Sequence, residues 1–505
     1  MKTQAGTHGP GETSSQNASG AIGRRALLKG AASLAVALGT VELAGRQASL
    51  PRRMALEAST LPDIQFDIGA FLAPVQILND GGGNVAAQFP PVHTVFVTAR
   101  LIRTPTIADV LDLRDALATI ESAYPFGASG IITLISYGIP YFSRLPGGMT
   151  GPLVSSYMPR LASDTSRYAL EEAVPGPTDV SPANPGITKQ TFNVPVKIEN
   201  NDLLLTFRSD NSAIISDVLC WLGGTDSLNG QRVRSPRLFK DLATVTSSRA
   251  QFVAVSLPRR LAEAHRFPYA TEINPDSPMW MGFLDQHAGG SGVPASCTFA
   301  GNESAHLTTA QPGDYFDNGA IQHLSHVIED LAQFYAKPAE PYTERVQYMF
   351  RSDPIPSTGN ADQFTDGGGP AYLDNVDFGT GDAARNAQGI NTFQGRRRMG
   401  HLPALQRSSR AADSHPIHMR MDGPGLDDID VPDGSKQPKL QFTIFVQTAE
   451  FFRVMRINQA SLDLAHQFGV ADHDNGLERF LTATRRQNFL IPPRRHRAFP
   501  LAELA

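Results

Sequence analysis

The chain is poor in cysteine: among 505 residues there are two, Cys220 and Cys297. Two thiols cannot build a Cys-rich zinc site or hold an iron–sulfur cluster, and nothing in their spacing demands that they pair. Excess positive charge is also missing. A net charge of −5 and a pI near 6.2 exclude the basic surface that a nucleic-acid binder uses to neutralise phosphates. No stretch is long and apolar enough to predict a transmembrane helix. Gly-x-Ser-x-Gly and His-Glu-x-x-His are both absent, which leaves a secreted hydrolase without its usual signatures. The acidic run Asp427-Asp428-Ile429-Asp430 lacks the spacing of a calcium loop and reads as a solvated turn.

What is present begins with Gly23-Arg24-Arg25-Ala26-Leu27-Leu28-Lys29, followed by a short apolar run from Ala31 to Val41. An arginine pair, a leucine pair and a lysine ahead of a weakly hydrophobic segment resemble a twin-arginine export signal. That resemblance implies export to the periplasm, cell surface or extracellular space. It also implies a cargo that folds before it crosses. Residues 1–60 therefore read as signal and linker, with folded sequence starting near Leu61.

Beyond that point hydrophobic periodicity predicts alternating strands and helices. His93 to Leu101 reads as a strand, Ile107 to Ala123 as a helix and Gly130 to Tyr137 as a second strand. After a Gly/Pro/Ser-rich excursion come a buried strand at Asp202–Phe207, a helix near Ser212–Leu222 and a strand at Gln251–Leu257. The second half repeats this style. Its strands are Ile321–Ile328, Lys439–Gln447 and Phe489–Ile491, its helices open at Glu329 and Ala449, and residues 353–395 form a long Gly/Asp/Asn-rich stretch. The expected architecture is α+β: two ferredoxin-like domains with antiparallel sheets and peripheral helices, in the manner of dimeric α+β barrels, at residues 61–290 and 291–505.

Among thirteen histidines, His401 follows a basic turn and has no cysteine or carboxylate at ligand spacing, which suits a single axial ligand to haem iron. His418, in the strand-like His415-Pro416-Ile417-His418-Met419-Arg420, is the rival. His323 and His326 differ by three on one strand, so they point to opposite faces and do not share a metal. Asp285, after Gly282-Phe283-Leu284, is a candidate acid–base group, and Arg420 a candidate permanent cation. Trp280 and Tyr335 are candidate electron relays or core aromatics. Cys220, in an apolar run, reads as a buried small hydrophobe.

Gly282-Phe283-Leu284-Asp285 resembles the Gly-Phe-x-Asp-Gly motif of the dye-decolorizing (DyP-type) peroxidases. His401, with Arg420 nineteen residues later, is similar to that family's proximal histidine and distal arginine. Asp202-Leu203-Leu204-Leu205 and the order of the C-terminal strands fit the same pattern. The resemblance implies haem b, hydrogen peroxide as oxidant and a small organic reductant. It makes His401 the iron ligand, Asp285 the distal acid–base and Arg420 the distal cation, with His418 the alternative ligand. Gln286 departs from it, standing where the motif ends in glycine. That departure keeps open a haem-free or non-catalytic exported binding protein of the same fold.

Overall fold

The computed structural model describes residues 61–74, 76–79, 84–173, 191–282, 293–301, 307–336, 390–393, 396–399, 418–452, 455 and 477–505. Its N-terminal half is built from strand β1 (His93–Leu101), helix α1 (Ile107–Ala123), β2 (Ile132–Tyr137), β3 (Leu203–Ser209), helix α2 (Ser212–Leu222) and β4 (Ala243–Phe252). All four strands are antiparallel, in the spatial order β2-β3-β1-β4. A strand–helix–strand, strand–helix–strand chain with this order is a ferredoxin-like sheet.

The C-terminal half supplies β5 (Ala320–Glu329), β6 (His418–Arg420), β7 (Gly423–Asp427), β8 (Gln437–Val446) and β9 (Leu481–Ile491). Here β8 lies beside β6 and β7, then come β5 and β9. With β6 and β7 sharing one position, the same strand order is repeated. The fold is therefore α+β with two ferredoxin-like halves. They are joined through Leu490 of β9 opposite Tyr137 of β2 into one sheet, ten-stranded with the short Lys197–Ile198 that pairs with β9.

Local chemistry explains the helices. Thr106 precedes α1, and its backbone N–H (2.8 Å) and hydroxyl (2.7 Å) both donate to Asp109 Oδ2, while Arg103 holds the same carboxylate with two N–H groups at 2.6 and 2.8 Å. This ties down the first turn. Val110, Leu113, Leu117 and Ile120 recur at helical spacing and are buried against the sheet. The side chain of Asn211 accepts from Ala213 N at 2.9 Å and caps α2.

The sheet curls until its two ends meet. Gln251 Nε2 at the end of β4 donates to Met421 O at 2.9 Å, and Trp280 Nε1 donates to Gly425 O on β7 at 2.9 Å. Gly425 sits so close to β4 that a Cβ there would lie 2.7 Å from Ala250 O, so the approach needs a residue without a side chain. One face of the sheet then packs outward on the helices, as Val97, Leu205, Ile321 and Leu490 do in the main core. The other face lines the barrel interior. There the apolar set Phe96, Leu204, Leu324 and Phe489 is surrounded by paired polar groups. Ser136 donates to Gln322 Oε1 at 2.5 Å, and Thr98 meets Thr246 and Ser247 hydroxyls at 2.7 Å.

Several boundaries differ from the sequence expectation. The strand expected at Gln251–Leu257 is β4, which ends at Phe252, and a helix begins at Leu257. The helix expected at Glu329 begins at Leu331, because Glu329 still belongs to β5 and Asp330 caps the turn by accepting from Gln333 N at 3.0 Å. Cys220 is half-buried rather than buried, and it and the buried Cys297 are both free thiols. Among the described residues no helix is long and apolar enough to cross a membrane.

Candidate functional site

The chemistry-bearing side chains of the C-terminal half divide between the two faces of its sheet. Antiparallel register places Arg420 opposite Ile444, Ile444 opposite His323 and His323 opposite Asn488. Directly opposed residues share a face, so these four form a row on the outer, helix-facing side. The neighbouring row toward one end is His418, Val446, Ile321 and Leu490. Toward the other end it is Phe442, Ser325 and Arg486.

Within this face, His323 is fully buried and its ring is held at both nitrogens. Asn488 Oδ1 lies 2.7 Å from Nδ1, and Asn488 Nδ2 donates to Glu171 O at 3.0 Å. Because Oδ1 can only accept, Nδ1 carries the proton. Nε2 is therefore the acceptor for the Ser325 hydroxyl at 2.6 Å. Burial holds the His323 pKa down to about 3 against the Asn488 hydrogen bond, so the ring is neutral at ordinary pH. Phe452 stacks on it with centroids 3.6 Å apart, and Phe451 lies 5.3 Å from the ring of His418. The result is a neutral Ser325–His323–Asn488 chain under an aromatic cover, beside a half-buried guanidinium at Arg420 and a buried imidazole at His418.

The opposite face carries a charged cluster inside the barrel. His326 Nε2 lies 3.1 Å from Asp427 Oδ2 and its Nδ1 2.9 Å from Thr484 Oγ1. Lys439 stands 3.5 Å from the same carboxylate and donates to Ile429 O at 2.8 Å. Burial works to raise Asp427, but His326 and Lys439 outweigh it and hold the carboxyl low. His323 and His326 therefore lie on opposite faces, as their spacing of three requires. Among the described residues no group of three or more histidines, cysteines or carboxylates is arranged to hold a metal ion.

Asp285, Gln286 and His401 lie outside the described residues, as does the stretch 353–389. Arg420 and His418 are both in β6, on one face. Trp280 is a core residue: it is 1% exposed, packs near Phe252, and its backbone O accepts from the Tyr335 hydroxyl at 2.9 Å. Sequence reasoning missed Ser325, Asn488 and Arg486. The available signal was the alternation of Ile321, His323 and Ser325, which puts a hydroxyl and an imidazole on one strand face.

No curated protein matches this chain. Among solved structures it is similar to a putative DyP-type peroxidase from Shewanella oneidensis, with 14% identity over 85% of this chain and 98% of that one and a TM-score of 0.43. A dye-decolorizing peroxidase from Bacteroides thetaiotaomicron gives 14% identity, the same two coverages and a TM-score of 0.41. The encapsulated DyP-type peroxidase from Mycobacterium smegmatis gives 14% identity over 80% of this chain and 94% of that one, with a TM-score of 0.39. A family model matches residues 163–493, well over half of the chain. By that match the chain belongs to DUF7405, described as a family of unknown function.

Proposed function

We propose that this protein is an exported haem-dependent peroxidase that uses hydrogen peroxide to oxidise a small organic reductant. The observation that carries the reading is the position of Arg420. Arg420 is half-buried on the outer face of the sheet, in register with Ile444 and His323. A permanently charged guanidinium suits an anionic oxygen. The motif order Asp285, His401, Arg420 and the arginine pair at Arg24-Arg25 support the peroxidase and export parts of the reading.

The described residues fit a haem in the chemistry of their donors: an imidazole, a guanidinium and aromatic rings, with no competing metal cluster among them. His401 would hold the iron. His418 and Arg420 share one face of β6, about 7 Å apart along the strand. Haem, when bound, supplies an iron that binds peroxide and accepts its oxidising equivalents. Asp285 would take the proton from one peroxide oxygen and return it to the other. Arg420 would neutralise charge on the departing oxygen. Phe451 and Phe452 lie against His418 and His323 on that face.

The test is peroxide-dependent dye oxidation by hemin-loaded protein and its Arg420→Leu variant. Loss of the cation is expected to lower kcat/KM for peroxide by about 10² or more with hemin binding retained. Equal turnover in both proteins would overturn the role of Arg420. One observation favours a haem-free binding protein instead: Phe452 already covers His323 at 3.6 Å, filling part of the face beside Arg420.

A further inference from the structure

Helix α1 carries a surface that neither the fold nor the peroxidase reading uses. Val110, Leu113, Leu117 and Ile120 pack on the sheet, and the opposite side of the helix faces solvent. Its exposed residues are Ile107, Ala108, Leu111, Arg114, Asp115, Ala118 and Ser122. The first two turns of this side are apolar. Ile107 and Leu111 are each 48% exposed, and Ile102, just before the helix, is 56% exposed. Three large aliphatic residues bared in one short stretch differ from the single exposures scattered over an ordinary surface.

The far end of the same side carries only small residues, and there the surface is hollow. Ala118 lies between two depressions. One, of about 180 Å³, faces the C-terminal turn at Arg494–His496. The other is an open groove of about 740 Å³ that runs past Ser122 to Leu228 and Val233. Between the apolar and the small end stand Arg114 and Asp115, whose side chains have no ion pair or hydrogen bond among the described residues.

These positions are symmetric about the point midway between residues 114 and 115. Leu111 lies as far before it as Ala118 lies after it, about 5 Å at the helical rise, and Ile107 and Ser122 lie about 11 Å to either side. Two copies of α1 laid antiparallel about a two-fold axis through that point set Leu111 against Ala118, Ile107 against Ser122 and Arg114 against Asp115, each contact being made twice. Large aliphatic groups then meet small ones beside a hollow, and cation meets anion. Ala108 falls opposite Glu121, whose carboxylate Arg494 and Arg497 already hold. A parallel pairing sets Arg114 against Arg114 and Ala118 against Ala118, which satisfies neither charge nor shape.

We propose that the outward side of α1 is a self-association surface, and that its partner is a second copy of this chain in an antiparallel, two-fold dimer. Leu111 and Ile107 of each copy enter the hollows beside Ala118 and Ser122 of the other, which buries the exposed aliphatic groups. The two Arg114–Asp115 pairs fix the register more than they add affinity. The patch is smaller than the about 20–30 residues a side of a stable interface, so the dimer forms in the micromolar range.

The experiment is sedimentation equilibrium of the full-length protein from low to high micromolar concentration. Arg114→Asp and Asp115→Arg are run singly and together, with Leu111→Glu beside them. None of these side chains has a polar partner within the chain to lose, so the variants are expected to keep the wild-type circular dichroism spectrum. The wild type is expected to pass reversibly from monomer to dimer. Each single reversal sets like charges together at two contacts and is expected to weaken the dimer about tenfold or more, as is Leu111→Glu. The double variant exchanges the members of each pair and is expected to return association toward wild-type strength. A wild type that stays monomeric throughout, single variants that dimerise as the wild type does, or a double variant no tighter than either single reversal would each overturn the proposal.

Discussion

Glu329 ends β5 with its side chain almost wholly enclosed: the residue is 5% exposed and its Oε2 is buried without a hydrogen-bond partner. Burial, reinforced by the negative charge of Asp422, pushes its pKa from 4.5 to about 8. In the unfolded chain the same carboxyl releases its proton near pH 4.5. Between those two values the folded protein holds a proton that the unfolded chain has lost, so stability must fall as pH rises, by about 1.4 kcal/mol per pH unit. From pH 5 to pH 7 the loss accumulates to about 3 kcal/mol, and it levels off above pH 8. Glu329→Gln keeps the neutral shape and cannot ionise. Its urea midpoint should match that of the wild type near pH 5 and exceed it progressively toward pH 8. The difference between the two proteins is the quantity to plot, since other titrating groups cancel in it. A difference that stays constant from pH 5 to pH 8, or that grows in favour of the wild type, would refute the reasoning.

Other perturbations probe the frame that positions the site. Gly425→Ala places a Cβ 2.7 Å from Ala250 O where the sheet ends meet, and is expected to cost about 1–3 kcal/mol in thermal or chemical denaturation. An unchanged midpoint would mean that β4 and β7 do not approach so closely. Asp202 accepts from Leu101 N at 2.9 Å and from Arg144 Nε at 2.5 Å, with a side chain that is almost fully buried. Asp202→Ala should destabilise by about 3 kcal/mol, because it strands a backbone donor and a guanidinium. A loss near zero in urea titration would show that water replaces the carboxylate.

How far the sequence alone reached follows from where polarity lies in this fold. β1 and β3 were legible because one face of each is a continuous apolar row, Val95, Val97, Ala99 and Leu101 in β1 and Leu203, Leu205 and Phe207 in β3, while β2 and β5 were read from a mixture of apolar and polar residues. The start of β4 was not. Its stretch Thr246–Arg249 is threonine, serine and arginine because part of it faces the polar barrel interior, and hydrophobic periodicity is silent there. The first half of β9 was hidden for a similar reason: Thr482, Thr484, Arg485 and Arg486 are each engaged by a carbonyl, a carboxylate or an aromatic face. The strand end moved to Glu329 because this buried acid continues the ladder opposite Leu481, whereas β4 stops short at Phe252 because its partner β1 begins opposite it at His93. In the candidate site, the opposed faces of His323 and His326 follow from spacing alone. The pairing of His323 with Asn488, 165 residues away, does not, since only strand register brings them together.

The central claim is that haem is held by His401 and faced by Arg420, and its most direct measurement is an absorption titration with hemin. The wild-type protein, His401→Ala and His418→Ala are compared after purification from a haem-sufficient host. The account predicts a Soret band in the wild type that survives in His418→Ala and is lost in His401→Ala. A band lost only in His418→Ala, or no band in any of the three proteins after hemin is added, would contradict it.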